Sequence, residues 1–305
     1  MRLVLALGGN ALLRRGEPME LETLRAHVRE AVGAVARLAR EHDLVVSHGN
    51  GPQVGLLALQ AEAYRGVRPY SLDVLGAESE GLIGYLIEQE LKSALPGREV
   101  ATLLTQIEVD PSDQAFAHPT KPIGPVYALP EGERLGRDRG WALARDGPGL
   151  RRVVASPCPR RILELQTIRL LLAHGVIVVC AGGGGIPVVV GADGAVRGVE
   201  AVIDKDRSAA LLAEGVDADA LVLLTDADGV YRDWGTADAR LLRTAAPDAL
   251  QGLRFDAGSM GPKVEAACGF VERTGRWAAI GALEDAVAIV EGRSGTRILP
   301  IGRAA

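Results

Sequence analysis

The stretch RLVLALGGN, residues 2–10, is an apolar run that ends in two glycines and an asparagine. The run predicts a buried β-strand, and the glycines predict a tight turn directly after it. A second run of this kind, DLVVSHGNG, follows at 43–51. Between them, apolar residues recur at steps of three and four and predict a helix from about Leu21 to Arg40: Leu21, Leu24, Val28, Val32, Val35 and Leu38. The first fifty residues therefore predict a βαβ unit.

The same alternation continues along the chain. Further strands are predicted within EVATLLTQIEV (99–109), VIVVCAGGGG (176–185), ALVLLTDADGVY (220–231) and WAAIGAL (277–283), and further helices within RILELQTIRLLLAHG (161–175), RSAALLAEG (207–215) and PKVEAACGFVERTG (262–275). Strands that alternate with helices are typical of a mainly parallel sheet covered by helices. Residues 111–149 break the pattern with their high proline content, and we predict a small protruding subdomain there.

Charge and cysteine content limit the kinds of partner. The 305-residue chain has a formal net charge of −5 and no long run of Lys or Arg, which argues against nucleic acid and against an anionic membrane surface. Cys158, Cys180 and Cys268 are too scattered for a disulfide framework or a thiolate metal site, so a reducing cytoplasm is expected. The uncharged stretch 175–192 contains four consecutive glycines and Pro187, which predict a strand and a loop rather than a membrane helix.

Four glycine-rich turns indicate an anionic ligand. They are LGGNAL (7–12), HGNGPQVG (48–55), AGGGGIPV (181–188) and DAGSMGPK (256–263). In an open parallel sheet, ligands bind beyond the carboxyl ends of the strands, where glycines let backbone N–H groups approach phosphate oxygens. One such turn alone would indicate only a tight bend. The G-x-G-x-x-G and G-x-x-x-x-G-K-[ST] patterns of the common nucleotide folds do not occur.

Lysine placement suggests what the turns serve. The chain has only four lysines among its 34 basic residues, and three of them lie in loops rich in Gly, Pro or Asp: Lys121, Lys205 and Lys263. Chance or simple surface exposure could explain each one. A compact ammonium group, however, can follow a phosphoryl group as it moves, which a flat guanidinium does less well. We therefore predict phosphoryl transfer, in which positioning and charge neutralisation lower the barrier.

Two aspartates flank Lys205. Asp204 and Asp206 are expected to orient the lysines or to help hold a Mg²⁺ ion that accompanies a nucleotide. The alternative is that they cap the helix that begins near Arg207. Arg207 itself is expected to supply only surface charge. His48, beside the second glycine turn, is expected to be a strand-end residue rather than a general base.

The chain resembles the carbamate kinases of the amino acid kinase family. Matching stretches run almost from end to end, and GNGPQVG, TKPIGP and GSMGPK in that order are highly specific together. The resemblance implies an α/β fold, a three-layer αβα sandwich with an open, mainly parallel sheet and a small protruding subdomain around Lys121. One domain would span 1–305 in two lobes, with carbamoyl phosphate on about 1–175 and the nucleotide on about 176–305. It also implies a cytoplasmic homodimer in which carbamoyl phosphate and ADP give carbamate and ATP, reversibly, with Mg²⁺.

The resemblance further implies a role for each site residue. Lys121, Lys205, Asp206 and Lys263 would be catalytic, with Asp206 as organiser. Many relatives carry a lysine just before the first Gly-Gly, and Lys121 would replace it here. The carbamoyl phosphate side would comprise Gly8, Gly9, Asn10, Gly49, Asn50, Gly51, Gly183 and Gly184. The nucleotide side would comprise Asp204, Asp226, Asp228, Gly229, Val230, Tyr231, Gly258, Ser259, Met260 and Gly261. Mg²⁺ would arrive with ATP or ADP rather than be held by protein side chains.

Some residues depart from the family's usual pattern. Gln166, Glu78, Glu80 and the AAIGAL run at 278–283 are unusual, but we expect them to lie outside the loops assigned to chemistry. Two alternatives stay open. A kinase of the same family for another acid or phosphate acceptor is disfavoured by TKPIGP and by the absent early lysine. A non-catalytic sensor of nucleotide or carbamoyl phosphate is disfavoured by the intact lysines and aspartates.

Overall fold

A computed structural model describes residues 1–13, 17–64, 66, 68–255 and 259–302, without the side chains of Asn10 and Ala11. Its strands, numbered along the chain, are β1 (Arg2–Leu7), β2 (Asp43–His48), β3 (Val100–Thr102), β4 (Gln106–Val109), β5 (Lys121–Tyr127), β6 (Leu143–Asp146), β7 (Gly149–Val154), β8 (Pro159–Ile162), β9 (Ile177–Val179), β10 (Ile186–Val190), β11 (Val196–Gly198), β12 (Ala220–Thr225), β13 (Val230–Arg232), β14 (Arg240–Leu242), β15 (Thr244–Ala245), β16 (Trp277–Ala282) and β17 (Thr296–Ile298).

Its helices are α1 (Gly9–Leu12), α2 (Leu21–Ala39), α3 (Gly51–Ala63), α4 (Leu72–Ala94), α5 (Leu129–Arg139), α6 (Leu165–Ala173), α7 (Lys205–Gly215), α8 (Pro247–Gln251), α9 (Met260–Thr274) and α10 (Ala286–Val290). None of the helices in the described part of the chain is both long enough and apolar enough to cross a membrane. The uncharged stretch 175–192 forms β9, a glycine turn and β10.

The main sheet has eight strands in the order β15-β17-β16-β12-β1-β2-β9-β3. Its neighbours run parallel except for the antiparallel pair of β16 and β17. β1 lies near the centre, because Leu5 pairs with Val222 of β12 on one side and with Val46 of β2 on the other. The carboxyl ends of these three strands therefore meet at one edge of the sheet.

Both faces of the main sheet are covered by helices. Successive residues of β1 point to opposite faces, so Val4 and Ala6 enter a core that includes residues of α6, α7 and α9. Leu3, Leu5 and Leu7 enter a second core that includes residues of α2, α4 and α10. Burial on both faces explains why the strands are continuous apolar runs. The predicted three-layer αβα sandwich with an open, mainly parallel sheet is confirmed.

Two predicted elements have different limits in the structure. The predicted strand at 99–109 is divided, because β3 belongs to the main sheet and β4 belongs to a separate sheet with the order β11-β10-β4-β8. The predicted helix at 161–175 begins only at Leu165. The residues before it form β8, in which Ile162 pairs with Ile107 of β4, and Glu164 then accepts the N–H of Gln106 at 2.7 Å. Pairing with β4 therefore prevails over the helical pattern at the start of this segment.

Residues 121–154 form a small sheet with the order β5-β7-β6, together with α5. Tyr127 and Trp141 pack together with ring centroids 6.2 Å apart. One close contact between this segment and the rest of the chain joins two glycines, since a Cβ on Gly55 of α3 would lie 2.3 Å from the Cα atom of Gly124. The two backbones touch there, which only glycine at position 55 allows. The division of the chain into two lobes and a protruding subdomain stays a prediction.

Helix α6 offers a matched test of which face supports the fold. Leu172 is 3% exposed within the first core, whereas Leu170 is 59% exposed. We expect Leu172→Ala to lower the free energy of unfolding by about 2–5 kcal/mol, because a cavity replaces buried methyl groups. Leu170→Ala should change it by no more than about 0.5 kcal/mol. Denaturant unfolding of both variants measures the difference, and equal losses would contradict this packing.

Candidate active site

Three glycines meet at the carboxyl ends of β1 and β2. Gly8 donates its N–H to the Leu224 carbonyl at 2.8 Å, and Gly49 donates to the Leu7 carbonyl at 2.9 Å. A Cβ on Gly49 would lie 2.8 Å from the Gly9 nitrogen and 3.4 Å from Cδ of Lys205. Close backbone contact thus requires glycine at position 49. The same contact brings the turns after β1 and β2 against Lys205, one of the three lysines predicted to act in phosphoryl transfer.

The buried carboxylate of Asp206 joins two of the predicted lysines. Asp206 is 3% exposed, and its Oδ1 accepts Lys205 Nζ at 2.7 Å while its Oδ2 accepts Lys263 Nζ at 3.0 Å. Lys205 and Asp206 begin α7, whereas Lys263 lies in the first turn of α9. One side chain therefore brings together ammonium groups that are 58 positions apart in the chain.

Asp204 holds the third lysine. It is the N-cap of α7, because its Oδ1 accepts the N–H groups of Asp206 at 3.0 Å and Arg207 at 3.3 Å. Its Oδ2 accepts Lys121 Nζ at 2.5 Å. Asp204 therefore caps α7 and also orients Lys121, so both interpretations of this residue hold. The contacts of this residue are with Lys121 and α7 rather than with the other residues predicted on the nucleotide side. Arg207 pairs with Glu265 of α9 at 3.0 Å.

Burial and charge act in opposite directions on the pKa of each group. Burial raises the pKa of Asp206, but Lys205 and Lys263 outweigh it, and the pKa lies below its ordinary value. For Asp204 burial is likewise outweighed, by Lys121 and Lys205. Burial lowers the pKa of Lys205, yet Asp206 and Asp204 raise it above the ordinary value. Lys263 differs, because burial and the nearby Lys205 lower its pKa despite Asp206.

These five side chains form a cluster suited to an anion. When all are ionised, three ammonium groups face two carboxylates, so one positive charge remains uncompensated within the cluster. A phosphate or phosphoryl group could compensate it and accept hydrogen bonds from the ammonium groups. The cluster thus has the charge and the donors for phosphoryl transfer.

The glycine turn after β9 borders the cluster. Ala181, Gly183, Gly184 and Gly185 all have positive φ, at 52°, 67°, 99° and 82°. A Cβ on Gly183 would lie 2.0 Å from the Asn50 side-chain nitrogen, and one on Gly184 would lie 2.3 Å from the carbonyl oxygen of Ile203. The turn therefore fits tightly between the Asn50 side chain and the backbone that leads into Asp204. The turns carrying Gly183, Gly184 and Asn50 meet here, while Gly51 begins α3.

Two residues that support this turn were not among the predicted site residues. Glu80 of α4 is 1% exposed, and its carboxylate accepts the N–H of Gly182 at 2.8 Å and that of Thr105 at 3.2 Å. The neighbouring Ser79 accepts the Asn50 side-chain amide at 2.7 Å. Glu80 itself lies in α4, outside the loops assigned to chemistry as expected, but its carboxylate supports the glycine turn of one of them. Glu78 and Gln166 are exposed. The signal available in the sequence was a charged residue on an otherwise apolar helix face.

His48 ends β2 and is fully buried, as expected of a strand-end residue. Its Nδ1 lies 3.2 Å from the Gly49 carbonyl. Burial lowers the pKa of the imidazole to about 4, although this contact opposes the shift. The ring is therefore neutral near pH 7 and adds no charge to the site.

Apart from Asp204, the predicted nucleotide-side residues lie in two segments. Asp226–Tyr231 follows β12 and leads into β13, where the Tyr231 hydroxyl donates to Asp228 at 2.9 Å and its ring lies 5.0 Å from that of Trp234. Gly229 and Val230 are buried. Ser259, Met260 and Gly261 begin α9, which carries Lys263 into the cluster. Gly258 lies outside the described residues, as does the side chain of Asn10.

Over the described residues, no three His, Cys, Asp or Glu side chains lie close enough together to hold a metal ion. Asp204 and Asp206 both have oxygens that already accept lysine ammonium groups. Mg²⁺ commonly keeps several waters and binds nucleotide phosphates with only one or two carboxylates, so this donor set fits an ion delivered by a nucleotide.

Comparisons with known proteins place these residues in a family. The model of the amino acid kinase family matches residues 1–281. A carbamate kinase of Haemophilus influenzae is 54% identical over 299 residues, covering 98% of this chain and 96% of that protein. Carbamate kinase from Giardia lamblia bound to citric acid is a structural neighbour with a TM-score of 0.92 and 39% identity, over 98% of both chains. The same Giardia enzyme bound to AMP-PNP has a TM-score of 0.89 and 38% identity, again over 98% of both chains.

The family match spans more than half of the chain, and the identity to the Haemophilus protein extends over nearly all of it. The buried lysine–aspartate cluster and the glycine turns lie within the matched residues. The chain belongs to the amino acid kinase family.

Proposed function

We propose that this protein catalyses the reversible transfer of the phosphoryl group of carbamoyl phosphate to ADP, which gives ATP and carbamate. The observation that carries the proposal is the buried Asp206 that holds Lys205 and Lys263 beside the glycine turns at the end of the sheet. Carbamate kinases related over nearly the full length of the chain support the choice of substrates.

The reaction needs charge stabilisation more than proton transfer. The bond between phosphorus and the carbamate oxygen breaks while a bond forms between phosphorus and a terminal oxygen of ADP. Carbamate leaves as an anion, so no general base is required. Charge spreads over the oxygens of the transferred group in the transition state, and fixed ammonium groups stabilise it without reorganisation.

The lysines divide this task according to their surroundings. Asp206 fixes the positions of Lys205 and Lys263, and the raised pKa of Lys205 keeps its ammonium group protonated at neutral pH. We assign both to the phosphoryl groups of the nucleotide and the transferred group. Lys121 reaches the same place from β5 and is held there by Asp204. We assign it to carbamoyl phosphate, together with Gly8, Gly9, Asn10, the 49–51 turn, Gly183 and Gly184.

The nucleotide would lie on the side of β12 and α9. We assign to it Asp204 and two segments, which contribute Asp226, Asp228, Gly229, Val230 and Tyr231 in one and residues 258–261 in the other. The AMP-PNP complex of the Giardia enzyme supports use of a nucleotide. Mg²⁺ bound through the nucleotide phosphates would help to compensate the negative charge of the transferred group.

The assembly proposed from the resemblance is a homodimer in a reducing cytoplasm, where its three unpaired cysteines would stay reduced. A candidate contact surface lies at the β3 edge of the main sheet. Leu82 and Tyr85 of α4 and Leu104 after β3 are 42%, 56% and 52% exposed, although all three are large and apolar. We name these three residues the α4 patch. Two copies joined there would cover it.

The α4 patch can be tested by changing one residue. The protein should sediment with twice the mass of one chain, and Tyr85→Glu should reduce this to the mass of one chain, because it would bury a carboxylate in the contact. Tyr64→Glu is the control, since Tyr64 is 67% exposed and lies at the end of α3. A dimer that persists in Tyr85→Glu would exclude this surface.

The activity itself is tested by a coupled assay of ATP formation from ADP and carbamoyl phosphate. We expect turnover with these substrates and no comparable turnover in the reverse direction when acetate, glutamate, aspartate or UMP replaces carbamate. A stronger response to one of those acceptors would favour another kinase of the family. Tight binding of nucleotide by calorimetry without any turnover would favour a sensor.

Substitution of the clustered lysines should lower turnover. Lys205→Ala and Lys263→Ala should each reduce kcat by about 10²-fold or more, the order observed when one preorganised donor to a transition state is removed. Lys205→Arg should also impair turnover although it keeps the charge, because the Lys205 stem is confined between Asp206 and Gly49.

Lys92→Arg is the matched control for these variants. Lys92 is the fourth lysine, lies half exposed on α4 and pairs with Glu88 at 2.7 Å. It should retain wild-type kcat. Near-normal turnover of folded Lys205→Ala or Lys263→Ala would overturn the assignment of the cluster.

A further inference from the structure

Helix α4 carries two adjacent buried polar residues, Ser79 and Glu80, at 0% and 1% exposure. Each reaches a different loop of the candidate site. Ser79 accepts the Asn50 amide at 2.7 Å, and Glu80 accepts the Gly182 N–H at 2.8 Å. Burial of a carboxylate on a helix face that packs in a core costs free energy of folding. The presence of Glu80 there therefore indicates a specific role.

Glu80 has no cation to compensate its burial. Within the described residues, no Lys or Arg forms an ion pair with it. The titratable groups around it are His48 from β2, Cys180 after β9 and Glu164 before α6. His48 is neutral, the pKa of the Cys180 thiol is raised well above its ordinary value by burial, and Glu164 repels a charged Glu80. Its hydrogen-bond partners include the backbone N–H groups of Thr105 and Gly182, and the Thr105 side chain also lowers its pKa.

These two N–H groups belong to the framework of the glycine turn. Gly182 lies within the turn, and Thr105 holds both of its ends, since Thr105 Oγ1 accepts the Ala181 N–H at 2.9 Å and the Thr105 carbonyl accepts the Ile186 N–H at 2.8 Å. Glu80 joins the Thr105 backbone to Gly182 and so closes this arrangement. Ala181 is the residue of this turn that has positive φ without being a glycine, and this arrangement holds its strained conformation.

A shift of the glycine turn would displace candidate site residues on both of its sides. Gly183 is packed against the Asn50 side chain, and Gly184 against the backbone of Ile203 and Asp204. The Gly184 carbonyl also accepts the Ser208 hydroxyl of α7 at 2.7 Å. Displacement of the turn would therefore be transmitted to the start of α7, where Lys205 and Asp206 lie.

We propose that Ser79 and Glu80 are positioning residues for phosphoryl transfer: through hydrogen bonds to Asn50 and Gly182 they fix the glycine turn against the start of α7. The inference rests on the proposed phosphotransfer activity. Neither side chain is assigned a contact with substrate, so their effect is expected in kcat rather than in nucleotide affinity.

Ionisation of Glu80 gives the proposal a pH signature. Burial raises the pKa of the Glu80 carboxyl to about 8, although the N–H groups of Thr105 and Gly182 oppose the rise. The ionised carboxylate accepts from both N–H groups, whereas the protonated acid turns one oxygen into a donor. Glu80 should therefore hold the glycine turn in place more firmly as pH rises through its folded-state pKa.

Stability should move in the opposite direction. The folded-state pKa lies above the ordinary value of 4.5, so the folded protein binds a proton that the unfolded chain has released. The contribution of Glu80 to stability is fully present below the ordinary pKa and is lost as pH rises through the raised one. Activity and stability are thus linked to Glu80 with opposite signs.

Glu80→Gln is the principal test, with Glu88→Gln as its matched control. Glu88 lies two turns further along α4 and likewise accepts a backbone N–H, that of Thr102 at 3.0 Å, but it is remote from the glycine turn. Glutamine at position 80 keeps the size of the side chain but directs an NH₂ group at one backbone N–H. Above pH 8, where Glu80 is ionised in the wild type, we expect Glu80→Gln to lower kcat by about tenfold or more, with the KM for ADP within about twofold of wild type.

The pH profile separates positioning from a general loss of structure. Wild-type kcat should rise through pH 8, and Glu80→Gln should lack this limb, while any limb that arises from substrate ionisation would appear in both. Glu88→Gln should keep wild-type kcat and the limb. Wild-type kcat in Glu80→Gln, or an equal loss of kcat in the two variants, would overturn the proposal.

Ser79→Ala gives an independent measurement if Glu80→Gln does not fold. It removes one hydroxyl without changing the packing of α4, and kcat is expected to fall by about threefold or more. Unchanged kcat in this variant would overturn the role of the pair. Wild-type turnover measured alongside tests the proposed function itself, because wild type without activity would refute that function whatever the variants do.

Discussion

The buried Asp206 carboxylate is the interaction on which the site depends. Lys205 and Lys263 could not both be buried beside each other without it, because their like charges repel and burial penalises both. Asp206 compensates this cost by accepting a hydrogen bond from each. It thereby joins the first turn of α7 to the first turn of α9, and the two helices carry the lysines to the edge of the sheet where β1, β2 and β12 end.

Glycine turns make this arrangement accessible to a phosphate group. Gly49 brings two backbone segments together beside Lys205, and Gly183 and Gly184 fill the space between Asn50 and the start of α7. Any side chain at these positions would occupy space needed by neighbouring atoms. The glycines and the charged residues thus act together, since the first provide close approach for an anion and the second provide compensation for its charge.

The lysine cluster and the support of the glycine turn differ in how visible they were in the sequence. Lys121, Lys205 and Lys263 stood out because they are rare and lie in loops with glycine, proline or aspartate. Glu80 lies within the long helix α4, outside those loops as expected, and its contact with one of them was not among the predictions. Only the packing of α4 against the turn after β9 brings its carboxylate to Gly182. Likewise, Asp204 could be recognised as a cap, but its contact with Lys121 depends on residues 83 positions apart.

The sequence by itself determined the α/β class, the central strands and helix α2 to within one residue, and it singled out the three loop lysines and the two aspartates that flank Lys205. These follow from local pattern, because burial on both sheet faces produces continuous apolar runs and a phosphate site requires glycine and compact cations. The tertiary structure decided the division of 99–109 between two sheets, the shortened α6, the pairing of Lys121 with Asp204 and the burial of Glu80. Each of these depends on contacts between distant segments, and strand pairing or side-chain burial there prevails over the local pattern.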